Sequence, residues 1–474
     1  MFDNKETRLL KNTVIYTISN FGSKILTFLI VPLYTYYLTT SEYGTYDTVI
    51  SILSLVTPLC ILAINEGLLR WLLGSYTYSD RSKIITTGGY IYLSLLSVVE
   101  IILLVTFRIA DWQYGAYFIV LLVGSTMQTV LQFVARGLRR NKVFAVSGVL
   151  YTIVMLSLNL LCVIALKMNI DGMFISIIVA HFVSDIYIII SISSDFSFKP
   201  KEFDKFLAKD MSKYSILLVP NNISWWIINV SDRLMITYMI GASANGIYAI
   251  ACKFPSIVAV LHTIFYQAWQ EQAVLEYESE DRDAFYTKIF NIYMRLSLCS
   301  VLILIPLSKW IIIHFMDVSY QSGYIYIGIL YLGSIFSSFS GFFGTGYISA
   351  KDTKSAMITT MIGAIVNVVI NLAFIPTFGI WAACISTLMG YLVVWIIRII
   401  QTRKYFTINV DWKCFVFLLV ANTLYSSLIS INNDVLLYAM IVISFVVFWI
   451  INLNTVKSVS IKMLNKVEKR KYKK

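Results

Sequence analysis

Five cations, Lys24, Arg70, Arg233, Lys253 and Arg295, fall inside long apolar stretches of this chain. A charge held in hydrocarbon costs at least about 2.5 kcal/mol, so such a residue faces a protein interior or a water-filled path. Its neighbours here repeat at helical spacing. Tyr16, Asn20, Lys24 and Thr27 share one helix face, as do Asn222, Trp226, Asn229 and Arg233, and again Lys253, Ser256, Thr263 and Gln267. Faces of this kind, with amides such as Asn20 and Asn229 beside the charges, suit the passage of an anion.

The acidic residues in the same stretches allow more than one reading. Glu66 and Arg70 stand at i,i+4, which fits a helix ion pair whose arginine snorkels to the surface as well as it fits a cavity pair. Asp232 and Arg233 are adjacent and point about 100° apart on a helix, so they need not bind each other. His181 and Asp185, again at i,i+4, together with Glu100, form a buried acid–imidazole set. Such a set can take up and release a proton near neutral pH, or simply close an interior hydrogen bond. Glu66, His181, Asp185 and Asp232 are thus the candidates for ion coupling.

Other chemistries lack their residues. No G-x-x-x-x-G-K-[ST] loop occurs, and the three histidines, His181, His262 and His314, form no ligand cluster. The six cysteines lie in or at the ends of apolar segments without C-x-x-C spacing, so neither disulfides nor a zinc site is expected. No catalytic, metal or cofactor site is expected, and the extracytoplasmic loops are mostly a few residues, too short to hold a catalytic domain.

The elements that must position these residues are membrane helices. Of the 474 residues, 58% are hydrophobic and 14% charged, and the mean hydropathy is +0.75, values that fit a polytopic membrane protein. About fourteen spans are predicted, at 10–38, 44–73, 84–107, 113–135, 143–166, 172–194, 212–240, 245–270, 286–313, 322–349, 355–376, 379–401, 413–431 and 434–453. The first has basic flanks but is too long for a cleaved signal and has no A-x-A-like site, so it is kept as a span. Pro32, Pro58, Pro220, Pro255 and Pro306 are expected to bend their spans. The small residues of 322–349 permit close helix contact or flexing.

The net charge of +12 would suggest nucleic acid in a soluble protein; its placement argues against that. Thirty Lys and Arg fall on one set of loops and the two ends, including Arg398, whereas only Arg108, Lys167 and Lys309 fall on the other set. The positive-inside rule puts both termini in the cytoplasm, which needs an even number of spans.

Ser41-Glu42-Tyr43-Gly44-Thr45-Tyr46 reads S-x-x-G-x-Y and returns 202 positions later as Ser243-Ala244-Asn245-Gly246-Ile247-Tyr248. A second echo pairs Asn159-Leu160 and Gly172-Met173-Phe174 with Asn371-Leu372 and Gly379-Ile380-Trp381. With six spans between copies, the two halves are expected to be related by an axis along the membrane normal. The expected division is an N-lobe at 1–196, a basic cytoplasmic linker at 197–211, a C-lobe at 212–403, an accessory helix pair at 404–456 and a basic tail at 457–474.

Asn12 to Tyr46, with Lys24, Val31-Pro32-Leu33 and the Glu42-Tyr43-Gly44-Thr45-Tyr46 turn, resembles the N-terminal signature of the Wzx-type polysaccharide flippases of the multidrug/oligosaccharidyl-lipid/polysaccharide superfamily. Val219-Pro220, Asp232-Arg233 and Gly246-x-Tyr248 are similar to the start of that family's second lobe. The resemblance implies alternating access between two lobes and transfer of undecaprenyl-pyrophosphate-linked oligosaccharide across a bacterial cytoplasmic membrane, for a surface polysaccharide. It implies that Lys24, Arg70, Arg233 and Lys253 face the cavity and meet pyrophosphate or acidic sugar. Membrane lipids and a polysaccharide polymerase or other assembly proteins are the implied partners. A cation-drug antiporter and a peptidoglycan-precursor flippase are the related alternatives; a glycan polymerase or ligase would need a long external loop, which this chain lacks.

Overall fold

The computed structural model describes residues 28–471 apart from 76, 197 and 351. Its regular elements are helical: α1 (Val31–Tyr37), α2 (Thr40–Ile61), α3 (Ile64–Leu73), α4 (Tyr78–Ala110), α5 (Gly115–Gly137), α6 (Asn141–Asn159), α7 (Asn169–Ile192), α8 (Lys205–Ile216), α9 (Val219–Met239) and α10 (Ala242–Leu275). There follow α11 (Arg282–Phe315), α12 (Val318–Gln321), α13 (Tyr324–Ser349), α14 (Thr353–Phe378), α15 (Ile380–Gln401), α16 (Trp412–Leu428) and α17 (Asp434–Lys471). Among the described residues, eleven helices are long and apolar enough to cross a membrane, and α16 is a shorter apolar one. This is an all-α polytopic membrane protein.

The spans depart from their predicted form where the backbone, rather than hydropathy, decides. Span 44–73 is broken in two by Leu62 and Ala63, which take φ of 44° and 55°, a left-handed conformation that non-glycine residues adopt at a cost of about 1 kcal/mol or more. Span 212–240 is divided into α8 and α9, and Pro220 stands in the first turn of α9 as Pro32 does in α1. There the missing N–H is one that no helical carbonyl would have used, so these two prolines begin helices instead of bending them. Pro58, Pro255 and Pro306 do lie inside helices. The predicted first span, 10–38, lies largely outside the described residues.

By internal contact the chain divides into Met1–Ala249 and Ile250–Lys474. In the first unit, α5 and α7 supply a core around Phe118, Leu121, Leu122 and Phe174. Phe174 collects Tyr46, Tyr114 and Tyr117, with ring centroids 5.1–5.6 Å away, so residues from the two echoed motifs pack on each other here. α2 also lies along α9 in this unit. Its start is fixed by a capping box in which Thr39 Oγ1 accepts from Glu42 N–H and Glu42 Oε2 accepts from Thr39 N–H, which sets the entry angle of the chain ahead of Gly44.

In the second unit α13 packs against α15, and α11 against α16 and α17. Trp269 stacks on Phe342 at 4.2 Å, and Phe290 meets Phe339, Phe342 and Phe343 edge-on. The small residues of α13 serve close contact: a Cβ added to Gly344 would stand 2.7 Å from an Arg398 guanidinium nitrogen. Tight packing of this kind, with interhelical hydrogen bonds, holds membrane helices together where water supplies no hydrophobic drive.

Candidate functional site

The polar stripe of α9 lies on an accessible side of its helix. Asn222 and Trp226 are half-buried and Asn229 is exposed, while Ser224, Ile228, Ser231 and Asp232 on other sides are buried. An exposed asparagine beside a partly exposed arginine makes this side of α9 polar as well as accessible. Trp226 ties the stripe to α2, its indole N–H donating to Ser54 Oγ at 2.9 Å. Asn229 Nδ2 donates back to Trp225 O at 2.7 Å.

Arg233 closes this stripe. Its Nη1 donates to Asp47 Oδ1 at 2.8 Å, with 20% of the arginine side chain and 4% of the aspartate exposed. Asp47 stands one turn beyond Gly44 on α2. Asn245 Nδ2 reaches Gly44 O at 3.0 Å, Thr48 Oγ1 at 3.1 Å and, at a long 3.4 Å, Asp47 Oδ2. Thr48 and Thr237 share a 2.7 Å hydrogen bond. Asp232, on the buried side, accepts from the Tyr248 hydroxyl at 2.9 Å.

The second unit repeats the pattern of exposure on α10. Lys253 is half-buried, and Ser256, Thr263 and Gln267 of its stripe are exposed, whereas His262 turns to the other side and meets the Tyr293 hydroxyl at 2.6 Å. Arg295 is half-buried, its Nε donating to Asn291 O at 3.2 Å. Asn291 itself binds Asn409 O and the Asp411 N–H at 2.9 Å each, so Arg295 neighbours the joint that leads into α16.

Arg70 lies elsewhere, exposed on α3 with its guanidinium 4.3 Å from the Tyr214 ring centre and 5.5 Å from that of Trp71. It opens on a cleft of about 700 Å³ that Lys83, Asp204 and Asp210 also line. Among the described residues no ion pair joins it to Glu66. Lys83 binds Asp204 at 2.5 Å, and that bond, with N–H groups from the first turn of α8, holds the Asp204 carboxyl below its usual range. On another loop, Asp352 is likewise held low by Ser355 and Tyr405.

In the first unit, His181 and Asp185 of the acid–imidazole set are buried and Glu100 is half-buried. Asp185 is 1% exposed, and among the described residues neither its oxygens nor those of Glu100 have a hydrogen-bond partner. His181 Nδ1 also has none, so the i,i+4 bond between His181 and Asp185 is not made; the imidazole instead rests 4.8 Å from the Tyr151 ring. Lys24 and Asn20 lie outside the described residues.

Two cations assigned to loops from the sequence are buried within helices. Lys309, in α11, donates to Ile429 O and Ile431 O at 2.7 Å each, at the end of α16. Arg398, in α15, donates to Ser340 O, Ala356 O, Thr359 Oγ1 and Thr360 Oγ1 at 2.7–3.3 Å. Sequence reasoning also missed Asp47. The one signal for it was its place directly after the repeated Tyr46, where the second copy has Ala249.

The chain matches the family described as Polysaccharide biosynthesis protein over residues 9–270. It is 26% identical over 211 residues to membrane protein MJ1068 of Methanocaldococcus jannaschii, a stretch that spans 42% of this chain and 40% of that protein. Among solved structures, an inward-facing multidrug resistance MATE family transporter of the MOP superfamily superposes with a TM-score of 0.66 at 14% identity, over 82% of this chain and 97% of that one. Lipid II flippase MurJ, inward closed, gives 0.66 at 15%, over 94% and 99%. A MOP superfamily transporter of Pyrococcus furiosus, described as having a binding pocket of reverse polarity, gives 0.58 at 15%, over 83% and 95%. At such identities the likeness establishes the fold alone.

Proposed function

Because the chain belongs to the polysaccharide biosynthesis protein family and is an integral membrane protein of MATE- and MurJ-like fold, we propose that it flips lipid-linked oligosaccharide between membrane leaflets. The substrate is an undecaprenyl-pyrophosphate-linked repeat unit for a surface polysaccharide. It moves from the inner to the outer leaflet of a bacterial cytoplasmic membrane, by alternating access and without covalent chemistry. The observation that carries this reading is the accessible polar stripe of α9, which runs through Asn229 to a partly exposed Arg233. The stripe of α10, with Lys253, supports it.

Physical chemistry favours that substrate class. A hydrated head group bearing pyrophosphate cannot cross hydrocarbon, whereas its prenyl tail can stay in lipid. Guanidinium and ammonium groups on a wet face replace the water lost by phosphate oxygens, and a small number of them avoids trapping the anion. An antiporter for cationic drugs would want carboxylates on those faces. Coupling to an ion, if the transport is driven, would fall to the Asp185, Glu100 and His181 set, whose buried polar atoms lack partners. Both termini lie on the cytoplasmic side, following the loop charges.

Reconstitution tests the proposal. Proteoliposomes are loaded with a fluorescent polyprenyl-pyrophosphate oligosaccharide on both leaflets, and a membrane-impermeant quencher is added outside. Protein-dependent quenching of the inner pool is the expected result. Protection of that pool, alongside protein-dependent movement of a cationic dye, would overturn it.

A further inference from the structure

We propose that Asp47 is a built-in counter-ion that holds Arg233 until an anionic head group takes its place, and that this exchange releases the crossing of α2 over α9 and the start of α10. The inference rests on the transport reading above and adds a positioning residue to it.

Two observations converge on Asp47. Its carboxylate is nearly enclosed while Arg233 is partly open on the accessible side of α9, so the arginine can be approached by a second anion from a side on which the aspartate cannot follow. Arg233 also supplies the short bond Asp47 accepts; the Asn245 contact to the other oxygen is 3.4 Å. An anion that captured Arg233 would therefore leave a buried carboxylate without a counter-charge, a state avoided only if water reaches it. Head-group binding and opening of the crossing are thereby linked.

The crossing is built to part. It is where the two copies of the S-x-x-G-x-Y motif meet: a Cβ on Gly44 would lie 1.8 Å from Ala242 O, and one on Gly246 would lie 2.0 Å from Thr40 O. Backbone thus touches backbone in both directions where the two motifs meet. Polar bonds span it, Thr48 to Thr237, Asn245 to Gly44 and Thr48, and Trp226 to Ser54, groups that water can satisfy once the helices part. The acid occurs in one copy only, Ala249 standing at the matching place.

A disulfide reporter reads this directly. In a chain whose six native cysteines are replaced, Thr48→Cys with Thr237→Cys puts two thiols where the hydroxyl oxygens are 2.7 Å apart, and the cross-linking rate under mild oxidant is followed with and without inorganic pyrophosphate, sulfate serving as the control anion. Pyrophosphate is expected to slow cross-linking about fivefold or more, an ordinary size for coupling between sites. Asp47→Asn should cross-link slowly without pyrophosphate, and Asp47→Glu should restore the response, which a merely structural aspartate would not do. Equal rates with and without pyrophosphate, in a reporter chain that still flips pyrophosphate-linked glycolipid, would overturn the counter-ion role. So would Asp47→Asn matching the parent. Loosening by pyrophosphate in a chain that flips nothing would support the exchange and overturn only the transport reading.

Discussion

Arg233 and Arg398 are both arginines set within helices, and they are held in opposite ways. Arg233 answers a carboxylate at the edge of an accessible polar stripe. Arg398 is 4% exposed and spends its guanidinium on the neutral oxygens of α13 and α14. A charge bound by a charge can be handed to another anion, but one bound by fixed dipoles of two helices has nothing to exchange. The first arrangement suits transport and the second suits staying folded, which a sequence showing only an arginine in an apolar run does not separate.

Substitutions should pull the two apart. The largest effect on stability is expected from Arg398→Met, which leaves buried carbonyl and hydroxyl groups without their donor, a loss on the order of 3 kcal/mol; fluorescence-detected melting and membrane level should both fall, and a normal melting curve would place Arg398 with the transport residues. Gly44→Ala comes next, since its Cβ has no room at the crossing. Overpacking there should remove about 2 kcal/mol, read as a lower melting temperature.

Lys253→Ala should keep membrane level and melting temperature near the parent's, whereas Arg233→Gln strips buried Asp47 of its counter-charge and should also lower the melting temperature; in both, surface glycan should fall about tenfold, the size of one charge-assisted hydrogen bond to the head group. Unchanged glycan in both would move the anion path off these stripes. Arg70→Ala, outside the stripes, is expected to change export less than about threefold.

The smallest effect concerns pH at the loops. Asp204 has its pKa lowered in the folded chain, so the stability it lends is present above the ordinary carboxylate range and is lost as pH falls through and below about 4. Hydrogen exchange of residues 199–212 should quicken in that range, and Asp204→Asn should remove the change; a pH-independent profile in the parent would show the Lys83 bond to be idle.

Much of the fold was legible because long apolar runs and one-sided loop charge leave little choice in a bilayer. The breaks were not. Leu62 and Ala63 carry no turn signature, yet both take the left-handed region. Pro220 was read as a bend because hydropathy runs on across residues 217 and 218, where the helix in fact restarts. Lys309 and Arg398 were assigned to loops since a charge near a span end ordinarily reaches for water, yet here helix carbonyls stood closer. The stripes of α9 and α10 were legible from helical period alone, while Asp47, 186 positions from its arginine, needed tertiary structure to find its meaning.

The central claim is that the accessible polar stripes select a phosphate-bearing head. It is tested most directly by flipping rates, in one proteoliposome preparation, of two prenyl glycolipids that share a glycan and differ in carrying or lacking the pyrophosphate. The account predicts that the parent chain moves the pyrophosphate form faster by about tenfold or more and that Arg233→Gln with Lys253→Ala narrows the gap. Equal rates for the two lipids in the parent would contradict it.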